Sequence, residues 1–299
     1  MSGLKHIIVL AALVLASGAG RAQMNTATLP GSLEVRALSA ENKMEAAYER
    51  AALQVKALPN SAEAHYWLGA TAGMMAQTSS IFSKLGYAKE VVREFEKAAE
   101  LDPKQVAARF GLIEFHLAAP GMAGGDKGKI PGLVLQLDGI SKPDGLRARA
   151  MVKMRQDDVA GAEALYRQVL AMDAGHAETL AYFVSRFAKD KLPADTGAIV
   201  QAAITKAPGD VRVQYQFAKF AAISGQQPQR ALDLLTALKA VKPVPEGVST
   251  MGLHFRSAQL LEKLGKPAEA LAEMQRASAI APKDEQVVKE LARMRKTQG

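Results

Sequence analysis

The feature that most constrains the fold is a helix-ending pattern that occurs near both ends of the chain. In the first copy, residues 90–103, apolar residues recur at helical spacing, and Pro103 ends the helix because proline disfavours helical geometry in the residue before it. The second copy has the same spacing. Its residues Ala270, Met274, Ala277, Ile280 and Pro282 correspond to Val91, Phe95, Ala98, Leu101 and Pro103. A pattern that returns in this way predicts a protein built from repeated helical units.

The composition favours a helical core of small and aliphatic side chains. Hydrophobic residues make up 48% of the chain and aromatic residues only 5%. This is expected where Ala, Leu, Val and Met fill the space between closely packed helices. The chain contains no cysteine, which excludes disulfide bonds, thiolate zinc sites, iron–sulfur clusters and cysteine nucleophiles.

Residues 1–22 have the features of a secretory signal peptide. Lys5 and His6 precede an apolar run at residues 7–15 that is too short to span a bilayer, and small residues follow it. We expect cleavage after Ala22, and the alternative is a retained N-terminal anchor. The absence of cysteine excludes a bacterial lipoprotein. We therefore expect an exported bacterial protein, periplasmic or secreted, without stable membrane insertion after cleavage.

The segment after the predicted cleavage site, residues 23–38, is expected to be a flexible leader because its first part is polar and contains a Pro-Gly pair. Cleavage would lower the formal net charge from +8 to +6, since two bases and no acid are lost (36 bases against 30 acids). A basic excess of this size promotes solubility, and it also steers anionic partners towards the protein.

The first full unit has the order of large and small side chains that two crossing helices need. Leu68 and Gly69 lie on its first helix, Phe95 and Ala98 lie on its second, and Pro103 follows the second. A small residue at the crossing lets the helices approach, and large residues fill the adjacent holes. With these residues the chain resembles the tetratricopeptide repeat (TPR) family. The resemblance implies an all-α, right-handed solenoid of helical hairpins whose first helices line a concave groove.

The end points of successive units define the predicted domain. They lie 44, 40, 31, 34, 35 and 39 residues apart, at Pro59, Pro103, Pro143, Ala174, Pro208, Pro243 and Pro282. These steps scatter around the TPR period of about 34 residues. We predict a TPR-like solenoid of about six helical hairpins with end caps over residues 39–298. A helix from about Ser39, as N-cap, to Ala57 would form the N-terminal cap.

Two of the long steps carry extra residues. The first insertion, residues 76–85, contains Ile81 and Phe82 and either lengthens a helix or folds back as a flap. The second, residues 119–127, breaks a helix at Pro120 and predicts a new helix start with Asp126 as N-cap. If both segments cover an apolar pocket, the protein is instead a small-molecule or glycan carrier of an envelope pathway.

The glycine-rich segment 121–130 does not satisfy the pattern of a phosphate-binding loop. Ala123 replaces the first required glycine, Ile130 replaces the Ser or Thr that holds magnesium, and a helix precedes the segment instead of a strand. A weaker hypothesis remains, in which the backbone amides of Gly124 and Gly125 hold an anion at a helix start with Lys127 nearby. The alternative is a tight turn that needs glycine at positive φ.

Residues able to catalyse a reaction or hold a metal are not arranged for either task. The sequence contains neither an HExxH pair nor a G-x-S-x-G motif. Glu63 and His65, like Glu114 and His116, are two residues apart, which on a helix points the side chains away from each other. We expect no catalytic residues, no metal and no cofactor. Because basic and acidic residues are interleaved near the C-terminus, we also expect no nucleic-acid partner.

Aromatic residues mark the predicted groove. When the hairpins are aligned on Gly69, one groove-facing position holds Tyr66, Phe110, Arg147, Ala181, Tyr215 and Phe255. The position one turn later holds Ala70, Glu114, Met151, Ser185, Lys219 and Gln259. The predicted partner-binding groove consists of Tyr66, Phe110, Arg147, Met151, Tyr215, Lys219 and Phe255. The alternative is that the rings pack between neighbouring repeats.

Such a groove predicts a non-catalytic interaction scaffold. Exposed rings would anchor an extended peptide or a helix of a protein partner, and Arg147 and Lys219 would meet its acidic or carboxylate groups. An enzyme has little support, since no acid, base and nucleophile converge in the sequence. The identity of the partner and the oligomeric state are left open.

Overall fold

A computed structural model describes residues 30–242, 244–245 and 247–298. Over these ranges the chain forms α-helices and two short 3-10 helices, without a β-strand. The predicted all-α class is therefore confirmed. The predicted signal peptide, residues 1–22, and the first part of the predicted leader, residues 23–29, lie outside the described residues.

Fifteen α-helices follow one another along the described ranges. The first eight are α1 (Pro30–Ala40), α2 (Met44–Ala57), α3 (Ala62–Thr78), α4 (Ile81–Leu101), α5 (Val106–Ala118), α6 (Ile130–Ile140), α7 (Lys142–Arg155) and α8 (Val159–Met172). The 3-10 helices η1 (Gly121–Ala123) and η2 (Lys127–Lys129) lie between α5 and α6. The remaining helices are α9 (Ala177–Asp190), α10 (Thr196–Lys206), α11 (Val211–Ser224), α12 (Pro228–Ala240), α13 (Thr250–Lys263), α14 (Pro267–Ile280) and α15 (Glu285–Gln298). Among these described helices, none is both long and apolar enough to cross a membrane.

The chain divides into two compact units where the sequence predicted one solenoid domain. Of the described residues, the first unit comprises 30–39 and 43–172, and the second comprises 40–42 and 173–298. Within the first unit α3 packs on α4, α5 on α6 and α7 on α8. Within the second unit α9 packs on α10, α11 on α12 and α13 on α14. Each unit is a stack of helical hairpins, which confirms the predicted TPR-like solenoid class.

The crossing of α3, α4 and α5 explains why the repeat pattern folds into hairpins. Phe95 on α4 is almost fully buried, and its ring lies against the bare backbone of Gly69 on α3 and Gly111 on α5. A Cβ on either glycine would overlap the ring. Ala98, nearly one turn further along α4, is also buried. Small residues let the helices approach, and the large ring fills the space between them.

The second copy of the helix-ending pattern is buried in the same way in the second unit. Met274 and Ala277 of α14 are fully buried and belong to one core cluster with Ala258 of α13 and Val287 of α15. Helix α15 buries a single apolar face in this cluster, and its remaining residues are mostly charged and exposed. It therefore caps the last hairpin with a polar outer surface, as a solenoid requires for solubility.

Polar residues set where several first helices begin. The Oγ of Ser61 accepts a hydrogen bond from the backbone N–H of Ala64 (3.2 Å) at the start of α3. The Oγ of Ser249 accepts one from Gly252 (3.2 Å) at the start of α13, and Asp210 caps α11 in the same way. These caps satisfy amides that have no partner within the helix. The starts of these three helices are therefore specified by their own sequence.

The N-terminal cap differs from the prediction. In place of one helix from Ser39 to Ala57, the chain forms α1 and α2, separated where Asn42 adopts a positive φ of 62°. Ser39 lies within α1 and donates from Oγ to the carbonyl of Val35 (2.8 Å), so it caps no helix. Residues 30–38 were predicted as leader, but they are helical because Val35 is fully buried in the core that α2 also lines.

The two insertions extend and connect helices. Residues 76–78 end α3 and residues 81–85 begin α4, so the first insertion lengthens both helices of a hairpin instead of forming a separate flap. In the second insertion, the side chain of Asp126 accepts a hydrogen bond from the N–H of Gly128 (2.8 Å) and caps η2. The predicted N-cap at Asp126 is confirmed.

Candidate partner-binding surface

The four aromatic rings of the predicted groove lie in the interior of their units. Tyr66, Phe110, Tyr215 and Phe255 are each at most 6% exposed. Tyr66 packs against its neighbour Trp67, with ring centroids 5.2 Å apart. The prediction that these rings form exposed anchors is wrong, and the alternative, packing between helices, is what the structure shows. In a chain with few aromatics, the large rings are needed to fill the holes that small residues leave.

Arg147 is also part of the interior of the first unit. The Arg147 guanidinium carbon lies 3.6 Å from the centroid of the Phe110 ring, and its Nη1 donates to Oδ1 of Asp144 (3.3 Å). Met151 is half-buried and packs against the core cluster that contains Phe110. The assignment of Arg147 to an exposed groove is wrong, whereas that of the half-buried Met151 stays a prediction. The stacking on Phe110 and the ion pair with Asp144 give the guanidinium its partners inside the protein.

Glu114 is a buried acid in the first unit that sequence reasoning did not select as a site. It lies on α5, one turn after Phe110, and is 4% exposed. Its Oε2 has no hydrogen-bond partner among the described residues. Burial raises its pKa to about 8, although the charges of Arg147 and Arg155 act in the opposite direction. A carboxyl in this environment keeps its proton at neutral pH, which avoids an unpaired charge in the interior.

The second unit brings two cations together on the first helices of its hairpins. The Nζ of Lys219, on α11, lies 5.9 Å from the centroid of the Tyr215 ring. The guanidinium carbon of Arg256, on α13, lies 5.1 Å from the centroid of Phe255. Its Nη1 donates to Oε1 of Gln259 (2.8 Å). Both cationic side chains are half-buried, and the buried rings beneath them position the two charges.

The approach of α11 to α13 depends on a glycine. A Cβ on Gly252 of α13 would overlap the hydroxyl of Tyr215, so only a residue without a side chain fits there. The same close approach puts Lys219 within electrostatic reach of Arg256. Gly252 is thus one of the residues that allow the cation pair to form.

The cation pair carries a charge that the protein does not neutralise. Burial, followed by the charge of Arg256, lowers the pKa of Lys219 to about 8. Burial also lowers the pKa of Arg256. Carboxylates on neighbouring helices have other partners, since Glu178 pairs with Arg212, Glu273 with Lys239 and Glu262 with Arg293. In the described part of the chain no carboxylate pairs with either cation, so an anionic group placed between them would be stabilised.

Lys219 was selected from the sequence and Arg256 was missed. Arg256 follows Phe255 directly, and Phe255 occupies an aligned groove position. Adjacent residues of a helix point about 100° apart. The alignment compared only the positions equivalent to Phe255 and Gln259, so it did not include the helix face that carries Arg256. Extending the alignment by one residue adds Gln216 and Arg256 in the last two hairpins.

The glycines of the predicted anion site have other roles. The N–H of Gly124 donates to the carbonyl of Gly121 (2.9 Å), and the N–H of Gly125 donates to the carbonyl of Pro120 (3.2 Å). Gly124 adopts a φ of 92°, and a Cβ on Gly125 would overlap the carbonyl of Ala119. The hypothesis of an anion site at Gly124, Gly125 and Lys127 is wrong, because the amides are already used. The segment is the tight turn that was its alternative.

The two insertions do meet around an apolar crevice, but it is small. Residues of the first insertion and of the second line it together, and its volume is about 30 Å³. Pockets for drug-sized ligands have volumes of about 300–1,000 Å³. A volume of this size holds about a water molecule, so the crevice does not favour the carrier hypothesis.

Two segments of the chain match known protein families. Residues 34–119 match the family described as Regulator of microtubule dynamics protein 1-3. Residues 252–284, which span α13 and α14, match the tetratricopeptide repeat family. Each match covers less than half of the chain. No curated protein matches the chain in sequence.

Several solved structures are similar to the chain at low sequence identity. Yeast Tom70 is 15% identical with a TM-score of 0.48, over 98% of this chain and 62% of that one. The APC/C hetero-tetramer Cut9–Hcn1 is 14% identical with a TM-score of 0.46, over 88% and 48%. A tetratricopeptide repeat protein from Parabacteroides merdae is 12% identical with a TM-score of 0.41, over 88% and 98%. The chain therefore spans about half of the Cut9–Hcn1 chain that it matches.

Proposed function

We propose that the protein is a non-catalytic interaction scaffold that binds an acidic segment of a protein partner at Lys219 and Arg256. The observation that carries the proposal is the pair of half-buried cations without a carboxylate partner in the described chain. An incoming carboxylate would hydrogen-bond with both, and such charge-assisted bonds are stronger than neutral ones.

An extended segment fits this surface better than a compact ligand. Polar groups occur on three successive first helices of the second unit, at Ser185 on α9, Lys219 on α11, and Arg256 and Gln259 on α13. Stacked helical hairpins present such groups as a long row rather than as a closed pocket. A peptide lying across the helices would meet one group from each hairpin in turn.

The location of this scaffold is part of the proposal. The basic start, short apolar run and small residues of segment 1–22 support export from a bacterial cytoplasm and a periplasmic or secreted mature protein. N-terminal sequencing of the exported protein tests this, with Gln23 expected as the first residue. An intact N-terminus on the protein recovered from the envelope would contradict cleavage.

The binding proposal is tested with a fluorescein-labelled, glutamate-rich peptide and its glutamine-substituted counterpart, measured by fluorescence anisotropy. Lys219→Gln and Arg256→Gln should each weaken binding of the acidic peptide about tenfold, because a hydrogen bond to a charged group contributes about 1.5–3 kcal/mol. The matched control is Lys206→Gln, at an exposed lysine of the same unit. Equal binding of the neutral peptide, or an unchanged affinity in the double variant, would contradict the proposal.

A further inference from the structure

A projecting apolar surface lies in the first unit, where α4 begins and η1 packs beside it. Phe82 is 85% exposed and Met122 is 78% exposed, and Leu85 is also exposed. Leu85 and Ala123 line the same small crevice, so the start of α4 and η1 are neighbours. We call Phe82, Leu85 and Met122 the apolar tip. Single exposed apolar residues are common on protein surfaces, but several that lie next to one another mark an interaction surface.

Basic residues surround the apolar tip. Residues 76–89 contain no acid, and Asp126, in the turn between η1 and η2, keeps its negative charge while it accepts a hydrogen bond from the backbone N–H of Gly128. Lys84, which lines the crevice, and Lys89 and Lys127, which are exposed, form no ion pair with a described carboxylate. The tip is therefore an apolar projection in a rim of net charge +2, since three lysines face one acid in segments 76–89 and 121–127. Its complement is an apolar medium behind a negatively charged surface.

The shape of the surface argues against two protein occupants. A second copy of the chain would place one lysine rim against another, and like charges oppose such a contact. A protein partner usually anchors a side chain in a pocket of the interface, but the crevice at the tip has a volume of only about 30 Å³. Projecting side chains instead suit a partner that deforms around them, such as the interfacial region of a lipid bilayer.

We propose that the apolar tip inserts into the surface of an anionic lipid bilayer, with Lys84, Lys89 and Lys127 contacting lipid phosphates. Apolar side chains at the depth of the headgroups lose water contact, and lysines keep their charged ends at the phosphate level. Each lysine close to an anionic membrane strengthens the attraction, and the effect falls within a Debye length. This surface is separate from the Lys219–Arg256 pair, so either proposal can fail alone.

A single fluorescent label tests the insertion directly, because the chain has no cysteine of its own. The full chain with Met122→Cys carries an environment-sensitive nitrobenzoxadiazole group and is mixed with phosphatidylcholine vesicles or with mixed phosphatidylcholine–phosphatidylglycerol vesicles. We expect a blue shift and a rise in emission with the anionic vesicles only. The label reports the tip itself, whatever the N-terminal segment does. The matched control is Leu135→Cys on α6, which is 71% exposed and outside the tip.

Substitutions in the tip then distinguish insertion from other causes of the signal. Phe82→Ser should abolish the blue shift, and Lys84→Gln with Lys127→Gln should weaken partitioning about fivefold for each charge removed, while the circular dichroism spectrum stays unchanged. An equal signal from pure phosphatidylcholine would overturn the proposal. So would an unchanged spectrum with anionic vesicles, or a blue shift that grows with protein concentration in the absence of vesicles, which would indicate self-association.

Discussion

The ring of Phe95 stands so close to Gly69 that a Cβ on the glycine would lie 2.8 Å from the ring carbon Cδ1. The ring is held from the other side by Gly111, where an added Cβ would be closer still. Phe95 is therefore enclosed between the backbones of two helices. Because protein interiors are close-packed and transmit strain, this crossing has no room for even one methyl group.

Gly69→Ala should destabilise the first unit by about 1–3 kcal/mol through overpacking, reduced by up to about 1 kcal/mol of gained helix propensity. The measurement is urea unfolding followed by circular dichroism. Gly73→Ala is the matched control on the same helix, because its Cβ would stand at an ordinary 3.7 Å from Val91. It should leave stability unchanged or raise it. If both substitutions stabilise the protein, the enclosed packing of Phe95 is refuted.

Glu114 predicts a loss of stability in mild alkali. Its pKa is raised from the ordinary 4.5 to about 8 in the folded state, so between these values the folded state holds a proton that the unfolded state has lost. The free energy of unfolding therefore falls as pH rises from 4.5 to 8, because folding then requires Glu114 to take up a proton. Glu114→Gln should remove this dependence and raise the unfolding midpoint at pH 8 relative to the parent protein. Parallel stability profiles of the two proteins from pH 5 to 9 would contradict the buried neutral carboxyl.

Glu273 predicts the opposite pH dependence in the second unit. Burial alone would raise its pKa, but hydrogen bonds from His254 (2.7 Å) and Lys239 (3.1 Å) outweigh burial and lower the pKa to about 2. The carboxylate stabilises the fold above its ordinary pKa of 4.5, and this contribution is lost as pH falls towards 2.

At pH 7, Glu273→Gln should cost about 1–3 kcal/mol, because its half-buried partners His254 and Lys239 lose a charged acceptor. Urea unfolding at pH 7 and pH 3 measures this, and the difference between the two proteins should shrink at the lower pH. Glu269→Gln on the same helix is the control, since its pair with Lys266 is exposed and contributes little. A cost that stays the same at both pH values would argue against the ionised network.

The cation pair predicts that binding of an acidic peptide weakens in alkali. In the unbound protein, burial and the charge of Arg256 lower the pKa of Lys219 to about 8, so the lysine loses its charge as pH rises through this value. Affinity measured by anisotropy should therefore fall between pH 7 and 9. Lys219→Arg should keep the affinity at pH 9, because a guanidinium remains charged. The same decline in both proteins would show that another group is responsible.

The helices and their hairpin pairing were predictable from the chain alone. Pro103, Ser61 and Asp126 act on the backbone next to them, and such local effects can be read from neighbouring residues. The repeated large–small order at Phe95 and Ala98 correctly indicated a buried crossing. The second glycine at that crossing, Gly111, was not selected, since only the approach of α5 reveals its role.

The candidate site could not be assigned in the same way. Tyr66, Phe110, Tyr215 and Phe255 align in sequence with groove-facing positions, yet all are buried. Whether an aligned ring faces solvent depends on how closely the next hairpin approaches, and that distance is set by side chains many residues away. The same reasoning applies to residues 30–38, which are helical only because α2 supplies a surface for Val35 to pack on.

Apart from α1 and its boundary with α2, the sequence by itself determined the elements of this protein: where helices begin and end, that they pair as hairpins, and which stripe of each is apolar. These properties follow from backbone geometry and from interactions between residues a few positions apart. Only the tertiary structure decided that, among the described residues, Oε2 of Glu114 has no hydrogen-bond partner and the cations Lys219 and Arg256 have no carboxylate partner. The reason is physical, since burial and the presence of a counter-charge depend on distances between helices that no local pattern encodes.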